Sequence, residues 1–126
     1  MLSRAISAPP YGRSPPNPDA YRTNGYRNGW IPEFMSKLAS IVVPFYNEED
    51  NIDPLIEKIE GVFATLSDYN YECLLVNDGS TDATAARLDA AATRNPAIRP
   101  IHMDGNFGQS AALLAGMRRA QGDVIL

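Results

Sequence analysis

The sequence predicts an α/β fold in which a parallel sheet is built in the order β-α-β-α-β-α-β. Short runs rich in β-branched residues alternate with longer segments in which apolar residues recur every three or four positions. Each short run ends in a polar turn, and the connections are only a few residues long. Alternation of this kind with short loops favours parallel strands that are joined by right-handed crossovers.

The first predicted unit is a strand at residues 38–43 that is followed by a helix. The strand ends at Pro44, and an acidic turn at residues 46–50 leads to Asn51, a suitable N-cap. Pro54 then falls in the first helical turn, where its missing N–H does little harm. Apolar residues at helical spacing form one stripe that is predicted to face the sheet: Ile52, Leu55, Ile56, Ile59, Val62, Phe63 and Leu66.

The second predicted unit repeats this arrangement. A strand at residues 71–76 ends in the turn Asn-Asp-Gly-Ser at residues 77–80. Thr81 is predicted to cap a helix that runs to about Arg94, and Pro96 prevents that helix from continuing.

The third predicted unit reaches the end of the sequence. A strand at residues 98–103 contains Pro100, which cannot donate to a sheet ladder and therefore indicates an edge strand. A turn and a helix follow at residues 105–121, with Gly122 at the C′ position of that helix. A fourth strand begins at Asp123. We therefore expect a sheet that is truncated in its fourth strand, as the N-terminal part of a longer protein.

Composition divides the chain into two parts. Residues 1–37 contain six of the ten prolines, with five Lys and Arg and two Asp and Glu, and show no helical or strand period. This predicts a disordered, proline-rich tail, with a docking segment for a partner as the alternative. Met35 is an alternative start. Residues 38–126 form the predicted domain, and their thirteen acidic and six basic residues argue against a nucleic-acid-binding surface.

The sequence also indicates the compartment. Its one cysteine, Cys73, allows no internal disulfide bond and lies in an apolar run, which predicts a buried core thiol. No apolar run approaches the roughly 20 residues that span a bilayer, and the N-terminus lacks the apolar core of a secretory signal. We therefore expect a cytoplasmic protein.

Candidate ligand-binding residues follow the first two predicted strands at the points where those strands end. Pro44, Tyr46 and Glu48 come after the first strand, and Asp78 comes after the second. Ligands of α/β sheets bind outside the carboxyl ends of the strands. There an aromatic ring can stack on a nucleotide base and carboxylates can accept its hydrogen bonds. The structural alternative is that Asp78 ties down its own turn and that the other acidic residues favour a helix N-terminus.

Other polar motifs point less clearly to a site. The turn Gly-Asn-Phe-Gly at residues 105–108 precedes a helix whose N–H groups can meet phosphate, or it is a plain turn and cap. Neither the G-x-G-x-x-G nor the Walker spacing is present, which argues against dinucleotide and P-loop sites. Asp78 to Asp82 begin like a calcium loop, but Asp89 stands where that loop requires Glu. His102 has no partner set for a metal or a triad and is predicted to be structural.

Four motifs together carry a family resemblance. They are Ser-Ile-Val-Val-Pro-Phe-Tyr-Asn-Glu-Glu at residues 40–49, Val-Asn-Asp-Gly-Ser-Thr-Asp at 76–82, Asn-Phe-Gly at 106–108 and Gly-Asp-Val-Ile-Leu at 122–126. In order and spacing they resemble the inverting family 2 glycosyltransferases, and most of all the polyprenyl-phosphate group that includes dolichol-phosphate mannosyltransferase-like enzymes. The resemblance covers residues 38–126.

This resemblance implies a GT-A fold, a Rossmann-like sheet that binds a nucleoside-diphosphate sugar, and transfer of the sugar to a polyprenyl phosphate. Pro44, Tyr46 and Glu48 would line the nucleotide pocket, and Asp78 would contact the base. The family's Asp-x-Asp motif, which holds Mg²⁺ or Mn²⁺, would follow Leu126, so we expect no metal ligand or catalytic residue within the chain. The complete protein would act at the cytoplasmic face of a membrane, whereas this part alone would be inactive.

Two alternatives remain open at this point. A nucleotidyltransferase on a similar sheet would need a glycine-rich, basic loop after the first strand, and the acidic turn there disfavours it. A non-catalytic remnant or interaction module could retain the nucleotide pocket without the metal. Gly105 and Gln109 stand where the family usually has basic residues, which leaves the donor and acceptor subclass undetermined.

Overall fold

The computed structural model describes residues 36–126. Residues 1–35 of the predicted tail, and with them Met35 as an alternative start, lie outside the described residues. Lys37 is already the first residue of the first strand.

The described residues form a four-stranded parallel sheet. Its strands are β1 (Lys37–Phe45), β2 (Tyr69–Asn77), β3 (Ile98–His102) and β4 (Val124–Ile125), arranged in the order β3-β2-β1-β4. Every neighbouring pair is parallel. The predicted fold class is therefore confirmed, including the edge position of the strand that contains Pro100.

Three helices connect the strands. They are α1 (Ile52–Phe63), α2 (Thr84–Arg94) and α3 (Gln109–Arg119), and a short 3-10 helix (Glu49–Asn51) precedes α1. The helices cover both faces of the sheet. Successive residues of a strand point to opposite faces, so each strand contributes to two cores. One core cluster joins α1 and α2 to the sheet and includes Phe45, Ile52, Ile56, Cys73, Leu75 and Leu88. The other joins α3 to the opposite face and consists of Val42, Leu74, Val76, Ile101 and Ala112.

The strand order creates a topological switch point next to β1. From β1 the chain moves outward through β2 to β3, and it then crosses by α3 to place β4 on the other side of β1. In sheets of this type the helices on either side of the switch diverge, and a crevice forms at the carboxyl ends of the two strands that flank it. The crevice between β1 and β4 is therefore the position at which this fold favours a ligand.

Two details of α1 differ from the prediction. Asn51 makes no side-chain cap; it ends the 3-10 helix that precedes α1, and its amide nitrogen donates to Glu48 Oε2 at 3.2 Å. The predicted apolar stripe also extends too far, since Val62 is 55% exposed and Leu66 is 37% exposed. At 3.6 residues per turn, Val62 lies about 120° around the helix from the buried Ile56. Leu66 lies beyond the end of α1, so helical spacing no longer sets its direction.

The boundaries of α2 and α3 also differ from the prediction. Thr81 does not cap α2, which begins at Thr84, where the backbone N–H donates to Asp82 Oδ1 at 2.9 Å. Gly122 is not the C′ residue of α3, because that helix ends at residue 119. A Cβ atom at Gly122 would lie 2.6 Å from Ser40 Oγ, so this glycine allows close approach to β1.

A buried polar cluster holds the segment that leads into β4. Glu72 is 2% exposed and accepts hydrogen bonds from Ser40 Oγ at 2.7 Å and from the Gln121 N–H at 2.7 Å. Arg99 pairs with the same carboxylate at 2.8 Å, which compensates its burial. The Gly122 N–H donates to Ser40 Oγ at 2.8 Å. The position of β4 therefore depends on polar contacts as well as on its short ladder.

Candidate functional site

The turns that follow β1 and β2 begin level with each other at the carboxyl edge of the sheet. Phe45 is paired with Asn77, and the Asp78 N–H donates to the Phe45 carbonyl at 2.8 Å. Tyr46 and Glu48 follow Phe45 directly along the chain. The structure therefore places Tyr46, Glu48 and Asp78 at one edge of one parallel sheet, as the sequence predicts.

Pro44 limits the pairing between β1 and β4 at this edge. The Val42 N–H donates to the Leu126 carbonyl at 3.0 Å, so it points toward β4. N–H groups alternate in direction along a strand, and Pro44, two residues further on, therefore faces the same side without an N–H to donate. This position therefore contributes no N–H donor to a ladder with β4.

Tyr46 and Glu48 follow β1 at its carboxyl end, and both side chains are exposed. Tyr46 is 46% exposed, so its ring is accessible to a ligand. Glu48 is also exposed, and one of its carboxylate oxygens accepts the bond from the amide of Asn51. An accessible ring next to an accessible carboxylate suits a ligand that combines a flat base with hydroxyl or N–H donors.

Asp78, in contrast, is buried and holds a third turn in place. It is 3% exposed, and its two carboxylate oxygens accept hydrogen bonds from the Phe107 N–H at 2.8 Å and from the Gly108 N–H at 3.0 Å. The Asn106 amide donates to the Asp78 carbonyl at 3.3 Å. Asp78 therefore fastens the turn before α3 rather than its own turn. Its negative charge also lies where the dipole of α3 favours an anion.

This contact changes the interpretation of the turn at residues 105–108. Two of the N–H groups that could meet a phosphate already donate to Asp78. Gly79 touches the same turn, because a Cβ atom there would lie 2.4 Å from the Gly105 carbonyl carbon. The geometry supports the plain turn and cap, held by an internal carboxylate, over a phosphate site.

The turns after β1 and β2 are joined by a set of hydrogen bonds that we call the latch. Three successive backbone N–H groups of the first turn each donate to a side-chain oxygen of the second. The donors and acceptors are Asn47 to Ser80 Oγ at 3.0 Å, Glu48 to Thr84 Oγ1 at 3.1 Å and Glu49 to Asp82 Oδ2 at 3.4 Å. The latch explains why hydroxyl and carboxyl side chains are concentrated between residues 80 and 84.

Asn47 completes the latch with its side chain, and sequence reasoning missed it. Its Oδ1 atom accepts the Thr81 N–H at 2.8 Å and lies 3.4 Å from the Asp82 N–H. Asn47 also has a positive φ of 50°. Asn is among the few residues other than Gly that adopt this conformation readily. The position of an Asn within a tight turn was therefore the sequence signal that could have identified Asn47.

His102 belongs to a separate network on the α2 side of the sheet. The Asn77 side-chain oxygen accepts the Ser80 N–H at 3.0 Å, so its amide nitrogen faces His102 Nδ1 at 3.2 Å and donates to it. The other ring nitrogen, Nε2, then carries the proton and donates to Asp89 at 2.8 Å. Both ring nitrogens have structural partners, in agreement with the predicted structural role.

Two pKa shifts indicate the charge states of Asp82, which is ionised, and of Cys73, which is not. The hydrogen bond from the Thr84 side chain, with further backbone hydrogen bonds, lowers the pKa of Asp82, which keeps this latch acceptor ionised. Burial raises the pKa of the Cys73 thiol to about 12, and the Coulombic effects of Glu60 and Glu72 add to this. A thiol that stays protonated is a poor nucleophile, so Cys73 is a core residue as predicted.

Comparison with known proteins identifies the family. A sequence model described as "Glycosyl transferase family 2" matches residues 40–126. The chain belongs to this family. A prophage bactoprenol glucosyl transferase homolog of Escherichia coli K12 is 41% identical over 87 residues, which cover 69% of this chain and 28% of the relative. An undecaprenyl-phosphate 4-deoxy-4-formamido-L-arabinose transferase of Pseudomonas fluorescens is 42% identical over 89 residues, covering 69% and 26%.

Solved structures share the fold of this family 2 chain. The mannosyltransferase PcManGT of Pyrobaculum calidifontis, in complex with GDP-Man and Mn²⁺, superposes with a TM-score of 0.58 at 25% identity and covers 71% of this chain. Residues 1–349 of Staphylococcus aureus TarS give a TM-score of 0.57 at 23% identity, which supports the fold alone. The GT-A fold that the resemblance implies is confirmed, and the match spans 26% of each neighbour.

The described part of this family 2 chain does not fit the metal that PcManGT holds. Within residues 36–126, no group of three or more His, Cys, Asp or Glu side chains is arranged to hold a metal ion. The carboxylates of the site have other partners, since Asp78 and Asp82 accept backbone hydrogen bonds. No helix among the same residues is long and apolar enough to cross a membrane.

Proposed function

We propose that residues 36–126 form the donor-binding part of a glycosyltransferase. The donor is a nucleoside-diphosphate sugar and the acceptor is a polyprenyl phosphate. The observation that carries the proposal is the position of Tyr46 and Glu48, both exposed at the carboxyl edge of β1 beside the topological switch point. The names of the bactoprenol and undecaprenyl-phosphate relatives support the acceptor, and GDP-Man in PcManGT supports the donor.

The site residues have distinct parts in this proposal. The Tyr46 ring stacks on the base, and the Glu48 carboxylate accepts hydrogen bonds from ribose hydroxyl or base N–H groups. Pro44 keeps the backbone of β1 out of the crevice. Asp78 is buried and holds the turn before α3, and its predicted contact with the base stays a proposal.

The proposed reaction is a direct displacement at the anomeric carbon. A phosphate oxygen of the acceptor forms the new bond to that carbon, the bond to the donor diphosphate breaks, and the nucleoside diphosphate leaves with its electron pair. The attacking oxygen is already an anion, so no side chain has to remove a proton from it. This is consistent with a site that contains no activated Ser or Cys among the described residues.

The remaining parts of the proposal concern the whole protein. The chain spans 26–28% of the length of the relatives described above. We propose that Mg²⁺ or Mn²⁺ is held by residues that follow Leu126, and that the whole enzyme works at the cytoplasmic face of a membrane. The family match favours this proposal over the nucleotidyltransferase alternative.

Titration calorimetry of the full chain with UDP, GDP and their sugars tests the donor site. We expect binding of one nucleoside diphosphate, and Tyr46→Ala should weaken it by roughly 5- to 100-fold, because stacking on an aromatic ring contributes about 1–3 kcal/mol per base. Glu48→Gln should also weaken binding, and Glu57→Gln, on the exposed surface of α1, is its control. Absence of binding by all of these nucleotides, or equal affinity of Tyr46→Ala and wild type, would contradict the proposal.

A further inference from the structure

We propose that Asn47 is a positioning residue for the donor site, acting through the latch that joins the turns after β1 and β2. This inference rests on the proposed function. Asn47 stands between Tyr46 and Glu48 in the chain, so any movement of its backbone moves both of them. It does not have to touch the donor. Its role is to hold the Tyr46 ring and the Glu48 carboxylate in position before the donor binds.

The backbone of Asn47 contributes the first half of this role. Its φ of 50° places it in the left-handed region, which bends the chain sharply between the two exposed site residues. Among residues 36–126 it is the only residue other than Gly with a positive φ. Such a conformation costs energy for most side chains and persists where surrounding contacts maintain it.

The side chain of Asn47 contributes the second half. One oxygen atom accepts from the Thr81 backbone at 2.8 Å, and the Thr81 hydroxyl and the Asp82 N–H lie at 3.3 and 3.4 Å. The Asn47 N–H donates to Ser80 in the opposite direction. These contacts bridge 33–35 positions in the sequence. One residue therefore both donates to and accepts from the second turn.

The exposure of the site residues makes this restraint important for binding. Tyr46 is 46% exposed and is therefore held mainly through its backbone. Glu48 is also exposed; its N–H donates to Thr84 within the latch, and its carboxylate accepts a bond from the nearby Asn51 amide. If the first turn loses its attachment to the second, both side chains must be ordered when the donor binds. That ordering entropy reduces affinity without removing any contact to the donor.

Two substitutions of Asn47 separate its backbone role from its side-chain role. Asn47→Gly keeps a residue that adopts a positive φ without strain but removes the acceptor oxygen. Asn47→Asp keeps the acceptor. Asn95→Ala is the matched control at the opposite edge of the sheet, because the Asn95 side-chain oxygen accepts the Ala97 N–H at 3.0 Å. Each variant of the full chain is studied by amide hydrogen exchange and by calorimetric titration with UDP and GDP.

We expect Asn47→Gly to accelerate exchange of the Thr81 amide and to weaken nucleotide binding about tenfold or more, equivalent to about 1.4 kcal/mol. Asn47→Asp should retain the slow exchange of Thr81. Asn95→Ala should lower the melting temperature and leave the dissociation constant within about twofold of wild type.

Three outcomes would overturn the inference. The first is unchanged exchange of Thr81 in Asn47→Gly, which would show that the side chain does not hold the turns together. The second is faster exchange with unchanged nucleotide affinity, which would show that the latch does not position the donor site. The third is a wild-type chain that binds neither UDP nor GDP, which overturns the proposed function and the donor role of Asn47 with it. In that case the exchange data still decide whether the latch exists.

Discussion

Asp78→Asn is expected to destabilise the fold through the turn before α3. The Asp78 carboxylate is buried and accepts two backbone N–H groups, from Phe107 at 2.8 Å and from Gly108 at 3.0 Å. An amide has the same shape but offers one oxygen. If that oxygen accepts from Phe107, the NH₂ group faces the Gly108 N–H, and two donors meet without an acceptor.

The size of this effect follows from the two bonds. A hydrogen bond to a charged group contributes about 1.5–3 kcal/mol, and a buried donor without a partner costs about 1–3 kcal/mol. The variant keeps one neutral bond, so the expected loss in the free energy of unfolding is about 2–4 kcal/mol. For a domain of this size that corresponds to a decrease of about 10–25 °C in melting temperature.

Urea unfolding followed by circular dichroism measures this loss. Asp104→Asn is the control, because Asp104 is exposed on the same loop between β3 and α3 and its change should stay within about 0.5 kcal/mol. A loss below about 1 kcal/mol for Asp78→Asn, similar to the control, would refute the role of this carboxylate in fastening α3.

Three further predictions concern the core and the response to pH. Gly116→Ala should destabilise the fold by about 1–3 kcal/mol, because its Cβ would lie 2.4 Å from Val42 Cγ1. Gly61→Ala, where a Cβ would have no atom within 4 Å, should stabilise the fold by about 0.5–1 kcal/mol, and thermal melts measure both changes. Cys73, whose pKa is about 12, should resist Ellman's reagent until urea unfolds the chain. The free energy of unfolding should decrease as pH rises above the pKa of the unfolded thiol, since only the unfolded state then ionises. Hydrogen bonding lowers the pKa of Asp82, so its stabilising effect should disappear as pH falls through the acid range, and Asp82→Asn should flatten the acid side of the stability curve.

The alternation of strands and helices could be predicted because it depends on local patterns. Apolar periodicity, turn residues and the single proline in β3 each report on a few neighbouring positions. The family motifs also fall within short stretches. The placement of Tyr46 and Glu48 at the same edge as Asp78 then follows from parallel pairing alone, since parallel strands share their carboxyl ends.

The errors arise where a contact between distant residues decides the outcome. Thr81 looks like a cap by its type, but its N–H is used by Asn47 in the first turn, and α2 begins three residues later. Gly122 resembles a helix terminator, but it is required for close approach to Ser40 in β1. The partners of Asp78 are 29 and 30 positions away, in a turn that periodicity cannot connect to it.

The manner in which β4 joins the sheet determines the order of assembly. The contact that brings it in, from the Leu38 N–H to Asp123, links residues 85 positions apart, whereas the Ser40–Glu72 contact between β1 and β2 links residues 32 apart. Closing the longer loop costs about 0.9 kcal/mol more in chain entropy, for a strand of two residues. We expect the other three strands to form first. The proposed nucleotide contacts, Tyr46, Glu48 and Asp78, follow β1 and β2, so the edge that presents them is expected to form before β4 joins the sheet.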